Sequence, residues 1–129
     1  EKLPEFLDQV AARLVSGGSW IFQTVNFDRL VGKAEHAFPA LTWPEEDLVF
    51  SRVYVTDRDQ GHVRFRTRLM QGERVLVEDE VPLWPCLSSR YIELNRKAGL
   101  DLREHFGDFA GAPFEPERSQ GSVLVFARS

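Results

Sequence analysis

A short polar stretch follows an apolar run near the beginning of the chain. The run extends from Trp20 to Val25, and the nearby side chains suited to chemistry are Gln23, Asn26, Phe27, Asp28 and Arg29. An amide and a guanidinium at the end of a strand can bind a carboxylate or orient an amine, and arginine does so in a bidentate manner. The alternative is an Asx-turn, in which Asn26 and Asp28 only bond the backbone that leaves the strand.

A helix, a tight turn and a buried strand are predicted to position this stretch. Apolar residues recur at three- and four-residue spacings over positions 3–14, which predicts an amphipathic helix, and Pro4 and Glu5 suit its first turn. Gly17 or Gly18 is predicted to close that helix. The nearly continuous apolar run is typical of a strand covered on both faces. Because ligands in an open α/β sheet lie outside the carboxyl ends of the strands, the polar stretch lies where a ligand is expected.

An antiparallel meander is predicted in the middle of the chain. Positions 33–46 have a mixed composition with two aromatic-proline pairs and are predicted to form a loop. From position 48 apolar and polar residues alternate with a period of two, and the predicted strands are Leu48–Thr56, His62–Met70 and Arg74–Val81. Hairpin turns are predicted at 57–61 and 71–73.

Charged side chains on the meander form two further candidate groups. Arg52 and Tyr54 share one face of the first strand and could close over a substrate, with structural packing as the alternative. Three arginines on the second strand could attract an anion, or they could form a solvated face paired with two glutamates on the third strand. These residues are Arg64, Arg66, Arg68, Glu78 and Glu80.

A helix and a closing hairpin are predicted at the end of the chain. Ser88 or Ser89 can cap a helix that runs to about Ala98. A strand is predicted over residues 101–109, and the apolar run within 121–128 predicts the last strand. Four aromatic side chains are expected to pack in the core by default, and the alternative is that they form the wall of a pocket. They are Phe38, Trp43, Phe50 and Trp84.

The spacing of the histidines and the cysteine indicates no metal site and no catalytic pair. His36, His62 and His105 lack the spacing of a metal pair, so each is predicted at the surface or a rim, and only His36 is a candidate base. Cys86 has no catalytic partner nearby in sequence and is predicted to be inert packing. No catalytic residue, cofactor ligand or metal ligand is predicted.

Composition narrows the class of protein. The chain has 129 residues and a formal net charge of −4, with an isoelectric point near 5.4, which argues against a nucleic-acid partner. A single cysteine excludes an internal disulfide and fits a reducing cytoplasm. No apolar run is long enough to span a membrane and no leader is recognised, so no membrane association is expected. Because the sequence begins at Glu1 without methionine, we expect a piece of a longer protein.

Several segments resemble, in their order, the C-terminal half of a class I S-adenosylmethionine-dependent methyltransferase. Residues 14–18, Leu-Val-Ser-Gly-Gly, resemble the family's L-x-P-G-G turn before the fifth strand, with serine where proline is usual. Residues 23–30 are similar to the segment after that strand in the glycine/sarcosine N-methyltransferase-like branch, where an N-[YF]-D run borders the acceptor site. Residues 97–100 are similar to the K-x-A-G-F helix ending, residues 106–109 to Y-G-D-F, and residues 122–127 to the final strand.

The resemblance implies an α/β fold: the C-terminal part of a Rossmann-like methyltransferase sheet with an inserted three-stranded antiparallel meander. The whole chain would form a single domain, with a helix–strand unit at 1–30, the insertion at 48–82, and a helix with a closing hairpin at 88–129. The predicted substrate-binding residues, which would hold a small-molecule acceptor, are Gln23, Asn26, Phe27, Arg29, Arg52 and Tyr54.

The cofactor that the resemblance implies is S-adenosylmethionine. The family holds it with a glycine-rich turn after the first strand and an acid that ends the second, whereas Gly17 and Gly18 precede a strand. We therefore expect this chain to bind the cofactor weakly or not at all, and to be inactive by itself. The complete enzyme would transfer a sulfonium methyl group in line to a nucleophile, mainly by positioning the two reactants and excluding water.

The alternative is a non-catalytic α+β ligand-binding or dimerisation module, and strand order separates the two interpretations. The methyltransferase interpretation requires the Trp20–Val25 strand to run parallel to the strand that ends near Phe109, with the 122–127 strand antiparallel between them. The alternative allows the meander to join all the other strands in one sheet. An incomplete sheet also leaves an apolar edge exposed, so we expect a homodimer through that edge.

Overall fold

The computed structural model describes residues 2–57 and 59–129 and divides them into two compact units. One unit comprises the chain up to Arg29 together with Cys86–Ser129, and the other comprises Leu30–Pro85. The predicted turn at 57–61 includes Arg58, and the predicted helix–strand unit begins at Glu1; both of these residues lie outside the described ranges. The expectation of a single domain stays a prediction.

The described residues form two helices and eight strands. In chain order they are α1 (Leu3–Arg13), β1 (Ser19–Val25), β2 (Glu35–Ala37), β3 (Leu41–Trp43), β4 (Leu48–Asp57), β5 (His62–Gln71), β6 (Arg74–Leu83), α2 (Ser88–Lys97), β7 (Leu100–Phe106) and β8 (Gly121–Arg128). Neither helix is both long and apolar enough to cross a membrane.

The first unit contains a three-stranded sheet in the order β1-β8-β7. The central strand β8 runs antiparallel to both neighbours, so β1 and β7 are parallel to each other. The strands of the second unit form a separate sheet. This is the strand order that the methyltransferase interpretation requires, and the closing hairpin of β7 and β8 is confirmed.

Both helices of this unit pack on one face of its sheet. The core consists of Ala11 from α1, Leu100 from β7, and Leu124 and Phe126 from β8, with partly buried residues of α2 against it. Leu100, Leu124 and Phe126 have no exposed surface. The opposite face of β1 leaves Ile21 55% exposed, so the expectation that β1 is covered on both faces is wrong here. Successive side chains of a strand point to opposite faces, and both helices cover the same one.

The first helix ends earlier than the glycines suggest. As predicted, it has proline in its first turn and an apolar stripe, on which Leu7 is 1% exposed. Leu14 leaves the helix in an extended conformation, so the prediction that glycine closes the helix is wrong. Gly17, at φ 77°, instead forms the turn before β1, and its N–H donates to the carbonyl of Arg128 at 3.0 Å. Only glycine adopts this left-handed conformation without strain.

The second unit is a five-stranded sheet with the path β2-β4-β5-β6, and β3 also pairs with β4. The three predicted meander strands are confirmed to within two residues at each end. The predicted loop at 33–46 is wrong, because β2 and β3 both lie in it. The ten-residue strand β4 offers a second edge, along which β2 pairs near Tyr54 and β3 pairs near Phe50.

Two turns near the end of the chain differ from their predictions. The N-cap position of α2 is Leu87, which makes no side-chain cap, so the predicted serine cap is wrong. Asp28 caps the helix instead: its Oδ1 accepts the N–H of Ser88 at 3.0 Å. The strand β7 ends three residues before the predicted Phe109, because Asp108 Oδ1 accepts two backbone N–H groups, at 2.9 and 3.1 Å, and folds the chain into a turn.

Candidate functional site

The parallel strands β1 and β7 end at the same edge of their sheet, and a cleft lies in the loop that follows β7. Eight residues between Gly107 and Gln120 line this cleft, which has a volume of about 430 Å³, and three of them carry charged side chains: Asp108, Glu115 and Arg118. The carboxyl ends of parallel strands are where α/β proteins bind ligands. We call this the loop cleft.

Asn26, directly after β1, forms hydrogen bonds with the loop that lines the loop cleft. Its side chain is 2% exposed, and its Nδ2 donates to the carbonyls of Pro116 at 3.0 Å and Ser119 at 2.8 Å. An Asx-turn uses the side-chain oxygen, and Asn26 Oδ1 is buried without a hydrogen-bond partner, so Asn26 does not form the Asx-turn considered above. A Cβ at Gly107 would lie 2.5 Å from Ser119 Oγ and 3.1 Å from Ser119 Cβ, so a larger residue there would force Ser119 to move.

The other candidates in the polar stretch have different surroundings. Gln23 is exposed, and its Nε2 donates to the carbonyl of Thr24 at 3.2 Å. Phe27 is 7% exposed and begins the 3-10 turn Phe27–Leu30, which also contains Arg29. Asp28 caps α2. The structure therefore places these residues at the end of β1 as predicted, and their role in binding an acceptor stays a prediction.

A second polar cluster, which the sequence does not reveal, lies on the helix-covered face of the same sheet. His105 Nε2 and Ser122 Oγ share a hydrogen bond of 2.6 Å, and the imidazole stacks on Phe114 with 3.8 Å between ring centroids. Ser122 is 1% exposed. Burial lowers the pKa of His105, and the carboxylate of Asp28 opposes that shift.

Tyr91 of α2 extends this polar cluster towards β1. Its hydroxyl lies close enough to Thr24 and Cys86 to influence its pKa, and burial raises the pKa of both Tyr91 and Cys86. Thr24 pairs with Ser122 across β1 and β8. The predicted surface position of His105 is therefore only partly right, because pairing between strands distant in sequence brings these groups together.

Arg52 and Tyr54 share one face of β4, as predicted. The guanidinium carbon of Arg52 lies 5.1 Å from the ring centroid of Phe38 and 6.0 Å from that of Phe50, a cation–π arrangement. Tyr54 is 8% exposed, and its ring contacts Phe38 and Phe65 at 5.1 Å each. Burial raises the pKa of Tyr54, and the charge of Arg52 opposes this. The Nε of Arg52 is buried without a hydrogen-bond partner.

The arginine row on β5 is a paired, solvated face. Arg66 Nε contacts Glu80 at 2.6 Å, Arg64 contacts the same carboxylate at 3.4 Å, and Arg68 contacts Glu78 at 3.3 Å. The hydrogen bond from Arg66 lowers the pKa of Glu80. The interpretation as cross-strand pairs is confirmed.

Two aromatic residues and one histidine differ from their predicted burial. Trp84 is 70% exposed and Trp43 is 46% exposed, so the default of core packing is wrong for both. His62, predicted at the surface or a rim, is only 7% exposed and lies edge-on to Trp84, with 5.2 Å between ring centroids. His36 lies 5.1 Å from Phe38 in a similar edge contact.

The described residues do not fit the methyltransferase cofactor loop. Gly17 and Gly18 precede β1, Gly99 precedes β7, and Gly107 follows β7 but leads into a loop. Within residues 2–57 and 59–129, no glycine turn leads from a strand into an α-helix, and no cluster of three histidine, cysteine, aspartate or glutamate side chains is arranged to hold a metal.

Comparison with solved structures identifies the fold. The CcbJ methyltransferase from Streptomyces caelestis superimposes with a TM-score of 0.78 at 16% identity, over 98% of this chain and 52% of its own. An S-adenosylmethionine-dependent methyltransferase from Clostridium acetobutylicum gives 0.71 at 11% identity, over 98% and 51% of the two chains. The chain has the α/β fold of part of such a methyltransferase.

DesVI from Streptomyces venezuelae gives a TM-score of 0.63 at 16% identity, over all of this chain and 52% of its own. The chain thus spans about half the length of the solved structures that it resembles. No protein-family model and no curated protein sequence matches it.

Proposed function

We propose that this chain is the acceptor-side portion of an S-adenosylmethionine-dependent methyltransferase that acts on a small molecule. The observation that carries the proposal is the sheet order β1-β8-β7, with the five-stranded sheet inserted after β1 in the sequence. Almost the whole chain superimposes on about half of the length of two methyltransferase structures. The sequence motifs that resemble the glycine/sarcosine N-methyltransferase-like branch support an amine as the acceptor group.

The two units carry separate candidate groups for an acceptor, and each set is considered by itself. In the first unit the loop cleft follows the parallel strands, with Gln23, Phe27 and Arg29 at the end of β1. In the second unit the aromatic face offers Arg52 as a cation and Tyr54 as a hydroxyl. Asn26 acts in this scheme as a positioning residue, because its amide nitrogen holds the loop that lines the cleft.

The chain by itself would be inactive, because its described residues lack the glycine turn that holds the methyl donor. Calorimetry with S-adenosylhomocysteine tests this directly: the 129-residue chain is expected to give no saturable heat. A longer protein that contains this sequence and a preceding glycine-rich strand–turn–helix segment is expected to bind the same compound at micromolar concentration. Micromolar binding by the shorter chain would overturn the proposal that it is only a part.

The acceptor-side role has a separate test in that longer protein. Asn26→Ala is expected to raise the KM for the acceptor and lower turnover, because the loop wall is released, while the affinity for S-adenosylhomocysteine stays the same. Unchanged kinetics would remove Asn26 from the proposed site. Gln23→Leu is a useful companion variant, since it tests an exposed side chain at the same strand end.

We also propose that the chain self-associates through the free edge of β1, and that the complete protein is cytoplasmic. The support for the first point is the apolar, exposed Ile21 on an edge strand. The support for the second is the single thiol, Cys86, which fits a reducing compartment.

A further inference from the structure

A second cleft lies in the inserted sheet, on the face opposite Arg52 and Tyr54. Its volume is about 450 Å³, within the roughly 300–1,000 Å³ typical of small-molecule sites. Arg64 lines it and pairs with Val55, the neighbour of Tyr54, and adjacent residues of a strand point to opposite faces. We call it the tryptophan cleft; its lining includes Asp57, Gln60, His62, Arg64, Glu80 and Trp84.

The wall of the tryptophan cleft contains a large aromatic ring open to solvent. Trp84 is 70% exposed. One side of its ring contacts His62 edge-on, with 5.2 Å between ring centroids, and this contact orients the indole. An exposed indole held in place beside a cleft is a surface on which another flat ring can stack, since aromatic pairs stabilise beyond their buried area. Pro82 adds a further apolar side chain to the same lining.

Two buried polar atoms of the lining residues have no partner among the described residues. His62 Nδ1 and Arg64 Nε make no hydrogen bond, although His62 is only 7% exposed. The terminal nitrogen of Arg64 is used, at 3.4 Å from Glu80, but its Nε–H is not. Buried polar atoms in proteins are nearly always satisfied, so two unmet atoms on residues that line one cleft support a ligand that could bond them.

The charges around the cleft limit that ligand further. Two carboxylates, Asp57 and Glu80, line it together with one guanidinium, that of Arg64. Arg66 also pairs with Glu80 at 2.6 Å, so among the described lining residues the charges nearly balance and no cation is left free to pair with an anion. A charged ligand would lose its hydration without an equivalent partner.

We infer that the tryptophan cleft is a binding site for a flat, uncharged heteroaromatic ring of purine size that carries hydrogen-bond acceptors. The ring stacks on Trp84, and one of its acceptor atoms receives the Nε–H of Arg64. His62 supplies the second contact through Nδ1. The site is separate from the proposed acceptor groups and does not depend on methyl transfer, so its failure would leave the proposed function untouched.

The test uses the full chain and adenosine, an uncharged purine nucleoside. The amide and indole N–H signals of the protein are followed by NMR during the titration. We expect a saturable shift of the Trp84 indole signal and of the His62 and Arg64 amides, with ribose giving none and AMP binding no more tightly. No saturable shift with adenosine, equal binding of ribose, or tighter binding of AMP would each overturn the inference.

Variants assign the binding to this cleft. Trp84→Ala removes the stacking surface and is expected to weaken adenosine binding by at least about fivefold. Arg64→Lys keeps a cation near Glu80 but removes the Nε–H, and is expected to weaken binding by about three- to tenfold. Trp43→Ala, which removes another exposed tryptophan away from the cleft, is the matched control and should bind as the wild type does. Unchanged binding by Trp84→Ala would place adenosine elsewhere and refute the assignment.

Discussion

At the scale of single residues, the polar side chains near the end of β1 carry structural as well as candidate chemical roles. Asn26 holds the loop that lines a cleft, and Asp28 holds the beginning of a helix. A buried amide N–H is costly unless it is bonded, and the two carbonyls satisfy Asn26 Nδ2, whereas its Oδ1 is buried without a hydrogen-bond partner. A substitution at either position therefore changes stability and the shape of the candidate site together.

Asn26→Ala is expected to destabilise the chain by about 1–3 kcal/mol, because two carbonyls lose their donor in a buried place. Urea unfolding followed by circular dichroism measures the change. Gln23→Ala is the matched control: that side chain is exposed with one local bond, and its removal should change stability by less than about 0.5 kcal/mol. Equal effects of the two changes would contradict the role given to Asn26.

His105 predicts a dependence of stability on pH. Burial lowers its pKa in the folded chain, so the unfolded chain takes up the proton first as the pH falls. The contribution of His105 to the free energy of unfolding is therefore fully present above the ordinary histidine pKa, near pH 6.5. It is lost as the pH falls from there towards the lower pKa of the folded state. Asp28 is the carboxylate that opposes the shift.

The contribution of His105 is isolated by comparison with His105→Gln, which does not titrate. Urea midpoints measured between about pH 8 and pH 5 should fall more steeply for the wild type than for the variant. Because carboxylates titrate in both proteins, the difference between the two curves carries the result. Parallel curves would show that His105 is protonated as easily in the folded chain as in the unfolded one.

At the scale of elements, α2 begins with help from a residue that lies far away in sequence. Its N-cap residue, Leu87, offers no side-chain acceptor, and Asp28 accepts the N–H of Ser88 at 3.0 Å instead. The free N–H groups of the first helical turn require an acceptor, and a carboxylate also suits the positive end of the helix dipole. This contact ties the end of β1 to the beginning of α2 within one unit.

Asp28→Ala is expected to destabilise the chain by about 0.5–2 kcal/mol, the usual effect of losing a helix cap. Asp28→Asn keeps an oxygen acceptor and should retain most of the stability. Urea midpoints for both variants, together with amide exchange at Ser88, measure the effect. Faster exchange at Ser88 in the alanine variant alone would be the specific signature, and equal loss in both variants would argue for charge rather than capping.

Among the substitutions considered, the largest loss of stability is expected in β8, the central strand of the first unit. Phe126 has no exposed surface and stacks on Phe22 with ring centroids 5.9 Å apart. Phe126→Ala is expected to cost about 3–5 kcal/mol through lost burial and a cavity. Phe109→Ala, at a 79% exposed position, should stay within about 0.5 kcal/mol of the wild type. Thermal unfolding of both variants under the same buffer checks the contrast.

Hydrophobic periodicity predicted the long elements well, because their patterns are local. Apolar and polar residues alternate regularly along the three meander strands, and the last strand, expected at 122–127, lies within β8 and is one residue shorter at each end. The short strands β2 and β3 escaped prediction because three residues carry no period, and they exist only through pairing with β4. The end of α1 was missed for a related reason: Gly17 serves the following turn rather than the helix.

The candidate site was only partly predictable. The polar stretch after β1 was visible in the sequence, since it follows a clear apolar run. The partners of its side chains were not, because Asn26 bonds residues about ninety positions later and Thr24 meets Ser122 through strand register. The burial of His62 and the exposure of Trp84 likewise depend on tertiary structure that no local pattern encodes.

At the scale of the whole molecule, two of the edge strands, β1 and β6, differ in chemistry. Within the described residues β1 pairs only with β8, and β6 pairs only with β5. The edge strand β6 carries a run of acids from Glu78 to Glu80, and such charges oppose pairing with another chain. The edge strand β1, Ser-Trp-Ile-Phe-Gln-Thr-Val, has no charged residue. Self-association is therefore expected at β1.

Sedimentation velocity at increasing protein concentration is expected to show a reversible dimer. Ile21→Lys places a charge on the uncharged edge strand at a 55% exposed position and should shift the chain towards monomer without unfolding it. Val77→Lys makes the same change on β6 at a 56% exposed position and should leave the dimer unaffected. A monomer at every concentration would refute the proposed association, and loss of the dimer only in Val77→Lys would move the interface to the inserted sheet.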